Sequence, residues 1–438
     1  MSILALCLTA LLTALLAAPA GEPPAVLLEL PDALGTGEIP SDWACEFELD
    51  GSRATLALVR YDLRSPRARL RSWDASGARE AELPSPGTYR GRLVDGSGRH
   101  DVVASLDSEG LHAVVFPRTG EPWSLVPSVE QIRGLHVRVD GVHFVPGDDS
   151  GPLACGVEDP ASGLGQLAAP LPPPSGTLPW TGAGNSRVQG TSAGPRMLLP
   201  GDCARICEIA FDADYEYFLG QGASVPATIA RIEAHMNVVD FTYSRDLGVR
   251  FELTDFIVRT AAFYTPVDGG SLLTQFRSEW NGPQASVPRD IAHLMTGKPG
   301  SLIQYGGLAY VGVLCSSSAY GWSMDSTNAL GHEIGHNFGA PHCLDTGDCN
   351  NMCGGCQYIA PNTRARMMQH MAGVSCLEAA GPPSVPLPPY VTDEVVEIRQ
   401  NETALFPLTI DVLANEHDGN CEPVFLASHD PTSERGGT

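Results

Sequence analysis

The chain is short of positive charge, with 27 Lys and Arg against 51 Asp and Glu and a formal net charge of −24. A surface of that sign repels phosphate, which excludes nucleic acid and anionic lipid as main partners. Long apolar runs are also scarce. The one candidate, ILALCLTALLTALLAAPA at residues 3–20, falls short of the ~20 apolar residues a membrane span needs, and no other segment comes near that. This run leads into Gly-Glu-Pro-Pro without the basic residues that follow an anchor, although the basic n-region usual for a signal peptide is also missing. It closes on Ala18-Pro19-Ala20, the small-x-small form of a signal-peptidase site. Residues 1–20 are therefore expected to be a signal peptide, leaving no transmembrane segment in a protein that is secreted or held at the extracellular surface.

Removal of Cys7 with that segment leaves eleven cysteines, at 45, 155, 203, 207, 315, 343, 349, 353, 356, 376 and 421. An oxidising compartment favours pairing, and an odd count leaves at least one thiol over.

Four composition changes divide the rest of the chain. Residues 21–159 show short alternating apolar runs bounded by Gly, Asp and Ser, such as ATLALVRYDL (54–63) and LHVRVDGVHFV (135–145), as expected of a β-rich unit. Residues 160–202 are dense in Pro, Gly and Ser and cannot bury enough apolar surface to offset their ordering entropy. They are expected to form an exposed linker, with Arg187 and Arg196 as processing points. Residues 203–380 alternate strand and helix patterns, from ICEIAFDADYEYF (206–218) through a helix over 225–247, a strand over 249–258 and a helix over 271–280 to a strand at 308–314. A β-α-β-α-β order implies a layered sheet with crossover helices. A Pro-rich spacer (381–390) leads to residues 391–438, which alternate like the start of a β-sandwich.

The chemistry concentrates in GHEIGHNFGAPHC, residues 331–343. His332 and His336 are four apart, so on a helix both imidazoles leave one face. Glu333 sits on the neighbouring edge, able to reach a water beside an ion without ligating it. Gly339 lets the chain leave the helix in a left-handed conformation, Pro341 stops the helix resuming, and His342 returns as a third ligand. Asp325, Ser326 and Thr327 offer an N-cap. Chance assembly of this pattern in 438 residues comes to roughly one in ten thousand. Three histidines and an open fourth position describe a catalytic zinc, with Glu333 as general base in peptide-bond hydrolysis. By contrast His235 and His293 stand singly among apolar neighbours, as packed histidines do.

From about Arg205 to Leu377, some 40% of the chain, the sequence resembles the metzincin zinc endopeptidases, in particular the adamalysin/reprolysin group. The resemblance rests on the extended histidine motif, Asn337 after the second His, and the segments CEIAFDADYEYF, PRDIAHLMTGK (288–298) and GLAYVGVLC (307–315). It implies an α/β (α+β) catalytic domain with a twisted, mostly parallel five-stranded sheet and an active-site helix. It also implies protein or peptide substrates that add as a strand along Gly307, Leu308, Ala309, Tyr310 and Val311. A methionine turn beneath the metal falls best on Met352, with Met367, Met368 and Met371 as rivals. Cys315–Cys376 is the implied disulfide. Cys343 stands where the group has an acid, and with Cys349, Cys353 and Cys356 it admits either disulfides or a second, four-thiolate zinc. A calcium site would use Glu208 and Asp290, unless these are ordinary solvated acids.

PLACGV (152–157) resembles the cysteine switch of such propeptides, in which a thiolate closes the fourth zinc position. Cys155 would then make residues 21–159 an inhibitory prodomain; the alternative is a disulfide with Cys45. PLTIDVLANEHDGN resembles cadherin-like or Ig-like repeats of bacterial surface proteins, implying surface or matrix attachment. The competing function is a non-catalytic adhesion module, and the retention of Glu333 beside all three ligands favours the enzyme.

Overall fold

The computed structural model describes residues 25–30, 40–107, 110–117, 121–128, 134–143, 155–158, 205–342, 344, 351–353 and 357–379. The expected signal peptide, linker, spacer and C-terminal module lie outside them, as do Cys343, Cys349 and Cys356.

Between Ala25 and Asp140 the chain forms β1 (Ala25–Leu27), β2 (Asp42–Leu49), β3 (Ser52–Arg60), β4 (Arg64–Asp74), β5 (Gly77–Ala81), β6 (Thr88–Asp95), β7 (Gly98–Leu106), β8 (Leu111–Phe116), β9 (Trp123–Pro127) and β10 (Leu135–Asp140). Their sequence alternates as a half-buried sheet requires: in β3, Ala54, Leu56 and Leu58 point inward while their neighbours are more exposed. Asp50 and Gly51 both take positive φ, 52° and 74°, which a tight two-residue hairpin between β2 and β3 demands. Eight of these strands make an antiparallel sheet in the order β1-β10-β9-β8-β7-β6-β3-β2. Since β1 also contacts β2, the sheet curls towards a barrel around Leu56, Leu93, Leu111 and Leu125.

The second sheet draws on β11 (Cys155–Glu158), β12 (Arg205–Ala213), β13 (Val249–Arg259), β14 (Ile291–Met295), β15 (Gly307–Tyr310), β16 (Tyr320–Ser323) and β17 (Glu378–Ala379). Helices α1 (Tyr215–Gly220), α2 (Val225–Leu247), α3 (Gly269–Asn281), α4 (Gly300–Ile303), α5 (Thr327–Asn337) and α6 (Pro361–Met371) connect and cover it. The strand order is β11-β15-β16-β14-β12-β13-β4-β5, with β17 antiparallel on β12. Strands β12, β13, β14 and β16 run parallel, and β15 alone of the strands between 205 and 323 runs against its neighbour.

This sheet has nine strands; five of them, β12 to β16, lie between 205 and 323, and two-residue β17 adds a sixth from the same part of the chain. Strands β4, β5 and β11 come from the N-terminal part and extend it at both edges, and β16 is only four residues long, too short for its pattern to stand out. The strand expected over 308–314 ends at Tyr310, because Gly312 turns left-handed at φ 64°.

α2 shows how local signals set an element. Ser224 Oγ accepts from Ala227 N at 3.3 Å, Pro226 occupies the first turn, and Gly248 ends the helix at φ 67°. Ile229, Ile232, Met236 and Val239 pack on the second sheet's core. The opposite face, with Ala234, Val238 and Phe241, packs on Val103, Val114 and Phe116 of the first sheet.

At the C-terminal ends of β12 and β13, the Arg259 guanidinium donates to Asp212 Oδ2 at 2.6 Å, both side chains fully buried. Tyr264 Oη and Trp280 Nε1 donate to the same carboxylate oxygen, at 2.8 and 3.3 Å. Arg259→Ala would leave that carboxylate without its cation. It is expected to lower the unfolding free energy by ~3–5 kcal/mol, read from urea midpoints; a change below ~1 kcal/mol would show that the other donors suffice.

Candidate metal centre

Ser326 is the N-cap of α5, its hydroxyl accepting from Ala329 N at 3.3 Å. The residue before it is fixed from α1 and α2. Asp325 accepts from His235 Nε2 at 2.7 Å, Arg231 Nε at 3.0 Å and Tyr217 Oη at 3.0 Å, and these partners hold its carboxyl below the usual range against the opposing effect of burial. Thus His235 is a positioning contact at the start of the helix. His293 is a packed histidine, with Nε2 3.0 Å from Ser323 Oγ and a pKa driven down to about 3 by burial.

The middle of α5 rests on small residues. A Cβ at Gly335 would fall 2.5 Å from Met352 Sδ, so the buried Met352 lies directly against the helix turn carrying the histidines. Of the rival methionines, Met367 and Met368 pack into the general core and Met371 at its margin. The helix is capped at Phe338, and Gly339 turns at φ 90°. Ala340 N then donates to Gly335 O at 3.0 Å, folding the chain back towards His342.

The three imidazoles meet. His332 Nδ1 lies 2.8 Å from Asn351 O and His336 Nδ1 2.7 Å from Ala340 O. A carbonyl can only accept, so both Nδ1 atoms carry hydrogen, and in a neutral ring Nε2 is then an acceptor only. Yet His342 Nε2 is 3.1 Å from Nε2 of each of the other two. One proton on His342 could bridge to one of them, not to both. A cation among the three lone pairs resolves the conflict, and imidazole nitrogens suit zinc. Protonation is no escape. Burial holds the pKa of His332 down to about 4, that of His336 well below the usual value and that of His342 below it. The donor set fits a zinc ion.

Glu333 is buried beside these rings, against the edge strand. A Cβ at Gly307 would lie 2.4 Å from Glu333 Oε1, so glycine is required there for the strand to pass the carboxylate. The strand is tied to the helix beyond that point: Asn337 Nδ2 donates to Tyr310 O at 2.9 Å and Tyr320 O at 3.1 Å, and Gly312 N to His336 O at 2.8 Å. Gly307, Leu308, Ala309 and Tyr310 form β15, and Val311 lies past its end. Along the outer edge of β15 runs β11, parallel, with Cys155 opposite Gly307 and Glu158 opposite Tyr310.

Cysteine pairing is partly as expected. Cys315 and Cys376 form a disulfide, and Cys353 is disulfide-bonded, which removes one thiolate from a four-thiolate zinc. Cys45 is a buried free thiol, so the alternative pairing of Cys155 with Cys45 is overturned. Glu208 and Asp290 line a cavity of about 400 Å³ with Glu252, Glu378 and Arg67. Asp290 Oδ2 accepts from Glu208 N at 2.8 Å, Arg67 pairs with the Glu208 carboxylate, and burial pushes the Asp290 carboxyl up to about 6. These contacts give calcium no support. What the sequence did not reveal is the pair of carbonyls, of Asn351 and Ala340, that orient two of the rings, because a backbone oxygen has no residue signature.

Residues 229–343 match the family described as metallo-peptidase family M12B, reprolysin-like. That match supports a reprolysin-like metallopeptidase domain, a hydrolase of a zinc-dependent family. No curated protein matches. Among solved structures, a chain titled "Structure of a chaperone-substrate complex" is similar at 17% identity over 35% of this chain and 28% of that one, with a TM-score of 0.30. A likeness that slight carries nothing about function.

Zinc at ~100 times its Kd is expected to stabilise the fold by ~2.7 kcal/mol, seen as a chelator-reversible rise in Tm. His336→Ala should abolish the rise. An equal rise in that variant would place the ion elsewhere.

Proposed function

We propose that the chain is a secreted zinc endopeptidase, made as a zymogen whose N-terminal unit carries a cysteine switch. The carrying observation is the convergence of three imidazole Nε2 atoms, two of them from the helix that also carries the buried Glu333, whose carboxylate lies against Gly307 of β15. A zinc ion in that donor set supplies a Lewis acid and lowers the pKa of water towards ~7.

The remaining steps belong to the protein's own groups. A substrate segment hydrogen-bonds to the outer edge of β15, which fixes its backbone and leaves its side chains to read sequence. The glycine at 307 brings the scissile carbonyl close to Glu333 without a side chain between them. The Glu333 carboxylate takes the proton of the attacking water and delivers it to the leaving nitrogen, so that amine departs rather than amide anion. Burial of Glu333 and His336 keeps bulk water from competing for that proton.

The register of β11 supports the zymogen reading, since it sets the backbone of Cys155 opposite Gly307, on the same edge a substrate would use. Secretion rests on the N-terminal apolar run, and attachment to a surface or matrix on the repeat-like residues 391–438.

Glu333→Gln should keep zinc at wild-type stoichiometry and lose ~10²–10⁴ in kcat on a peptide library, after the linker has been cut. Zinc in both proteins with cleavage by neither would mean a binding module instead. Cys155→Ala should make the uncut chain active on the same library. Should it stay as silent as the parent while linker cleavage activates both, the thiolate is not the inhibitor.

A further inference from the structure

Among the described residues, the N-terminal unit pairs with the second sheet in two places of very different extent. At the cleft the paired contact among them is β11, four residues on β15. The other lies four strands across the sheet from β15, roughly 19 Å at ~4.8 Å per strand. There β4 joins β13 in parallel register, with Asp255 opposite Arg69 and Phe256 opposite Leu70. Tyr61, Leu63 and Leu70 are buried in the core shared with Phe211, Met236 and Phe256.

Charge complements that burial. Glu233, Asp240 and Asp255 of the metal-centre unit are nearly inaccessible, and each meets an arginine of the N-terminal unit. Arg64 forks onto Glu233, its Nη2 2.9 Å from Oε2; Arg90 Nη2 lies 2.8 Å from Asp240 Oδ2; Arg71 Nη2 lies 2.5 Å from Asp255 Oδ1. Asn237 Nδ2 donates to Ala104 O at 2.9 Å and Tyr89 O at 3.1 Å across the same boundary. Taking the unit away would strip Glu233, Asp240 and Asp255 of these guanidinium partners and bare the edge of β13.

We propose that cutting the linker does not release the N-terminal unit: it stays as a non-covalent subunit clamped on β13 and α2, and opening the cleft requires only the four-residue strand β11 to leave β15. The active form is then a two-chain complex. The inference rests on the proposed function only for where the cut falls, and its test reads association, which is independent of zinc and of catalysis.

The test uses the full chain with one site for a sequence-specific protease placed within residues 160–202, in a Cys155→Ala background so that this thiol cannot bridge the fragments. After complete cleavage, shown by two bands on a non-reducing denaturing gel, gel filtration at micromolar concentration in 0.15 M salt should give one species containing both chains. Two separately eluting species would overturn the proposal. Arg64→Ala should weaken the association at least ~100-fold, whereas Arg53→Ala, in an exposed pair inside the N-terminal unit, should not change it. If Arg64→Ala fails to fold before cleavage, Arg71→Gln serves in its place, since this position is partly exposed and its partner Gln284 can still accept from an amide. Undiminished association in the variant that folds would show that the arginines do not form the clamp.

Discussion

Three lone pairs forced to within hydrogen-bonding distance of one another are the constraint on which the centre of this protein depends. Left alone, such nitrogens would turn away or take up protons. Here two rings are locked by donating to the carbonyls of Asn351 and Ala340, and burial keeps protons off. Each lock belongs to a different part of the fold. The Ala340 carbonyl exists in that place because Gly339 turns left-handed, and Asn351 is held by its own Nδ2 bond to Gly331 O at 2.8 Å. The orientation of the imidazole cluster thus depends on the helix, the turn after it and the segment carrying Met352.

Much of that was legible in the sequence, and for a physical reason: helical spacing, the breaking glycine and the returning histidine are all local. His332, Glu333, His336 and His342 fall within eleven residues, and nothing distant is needed to guess their faces. The long helix from Val225 to Leu247 was similarly plain, since Ile229, Ile232, Met236 and Val239 recur at helical spacing. Non-local pairing was hidden. Residues 64–74 carry Pro66 and four arginines with no strong strand pattern; they lie in the second sheet, where carboxylates 141 to 184 residues away receive Arg64, Arg67 and Arg71. The short strand at 320–323 was lost between a turn and the metal helix.

The same arginines explain why the two sheets cannot be treated as beads on a string. α2 is buried on both sides, one face against the core that supports the metal helix and the other against the barrel-like sheet. A helix in that position links the two units, because its Glu233 and Asp240 carboxylates receive guanidinium groups of the opposite unit. Asp325 extends the linkage, since its partners Arg231 and His235 come from α2 and it stands just before the cap of the metal helix.

The placement of β4, β5 and β11 also bears on how the protein survives at high concentration. A sheet with open margins invites other chains to add to it. In this arrangement one margin is closed by β11 and the other by β5, a strand of five residues that is largely exposed and carries Arg79 and Glu80. The backbone row through which a peptidase would draw in its substrate is therefore also the row along which identical molecules would polymerise. Covering it with the chain's own strand removes that row from the edge available to a second molecule.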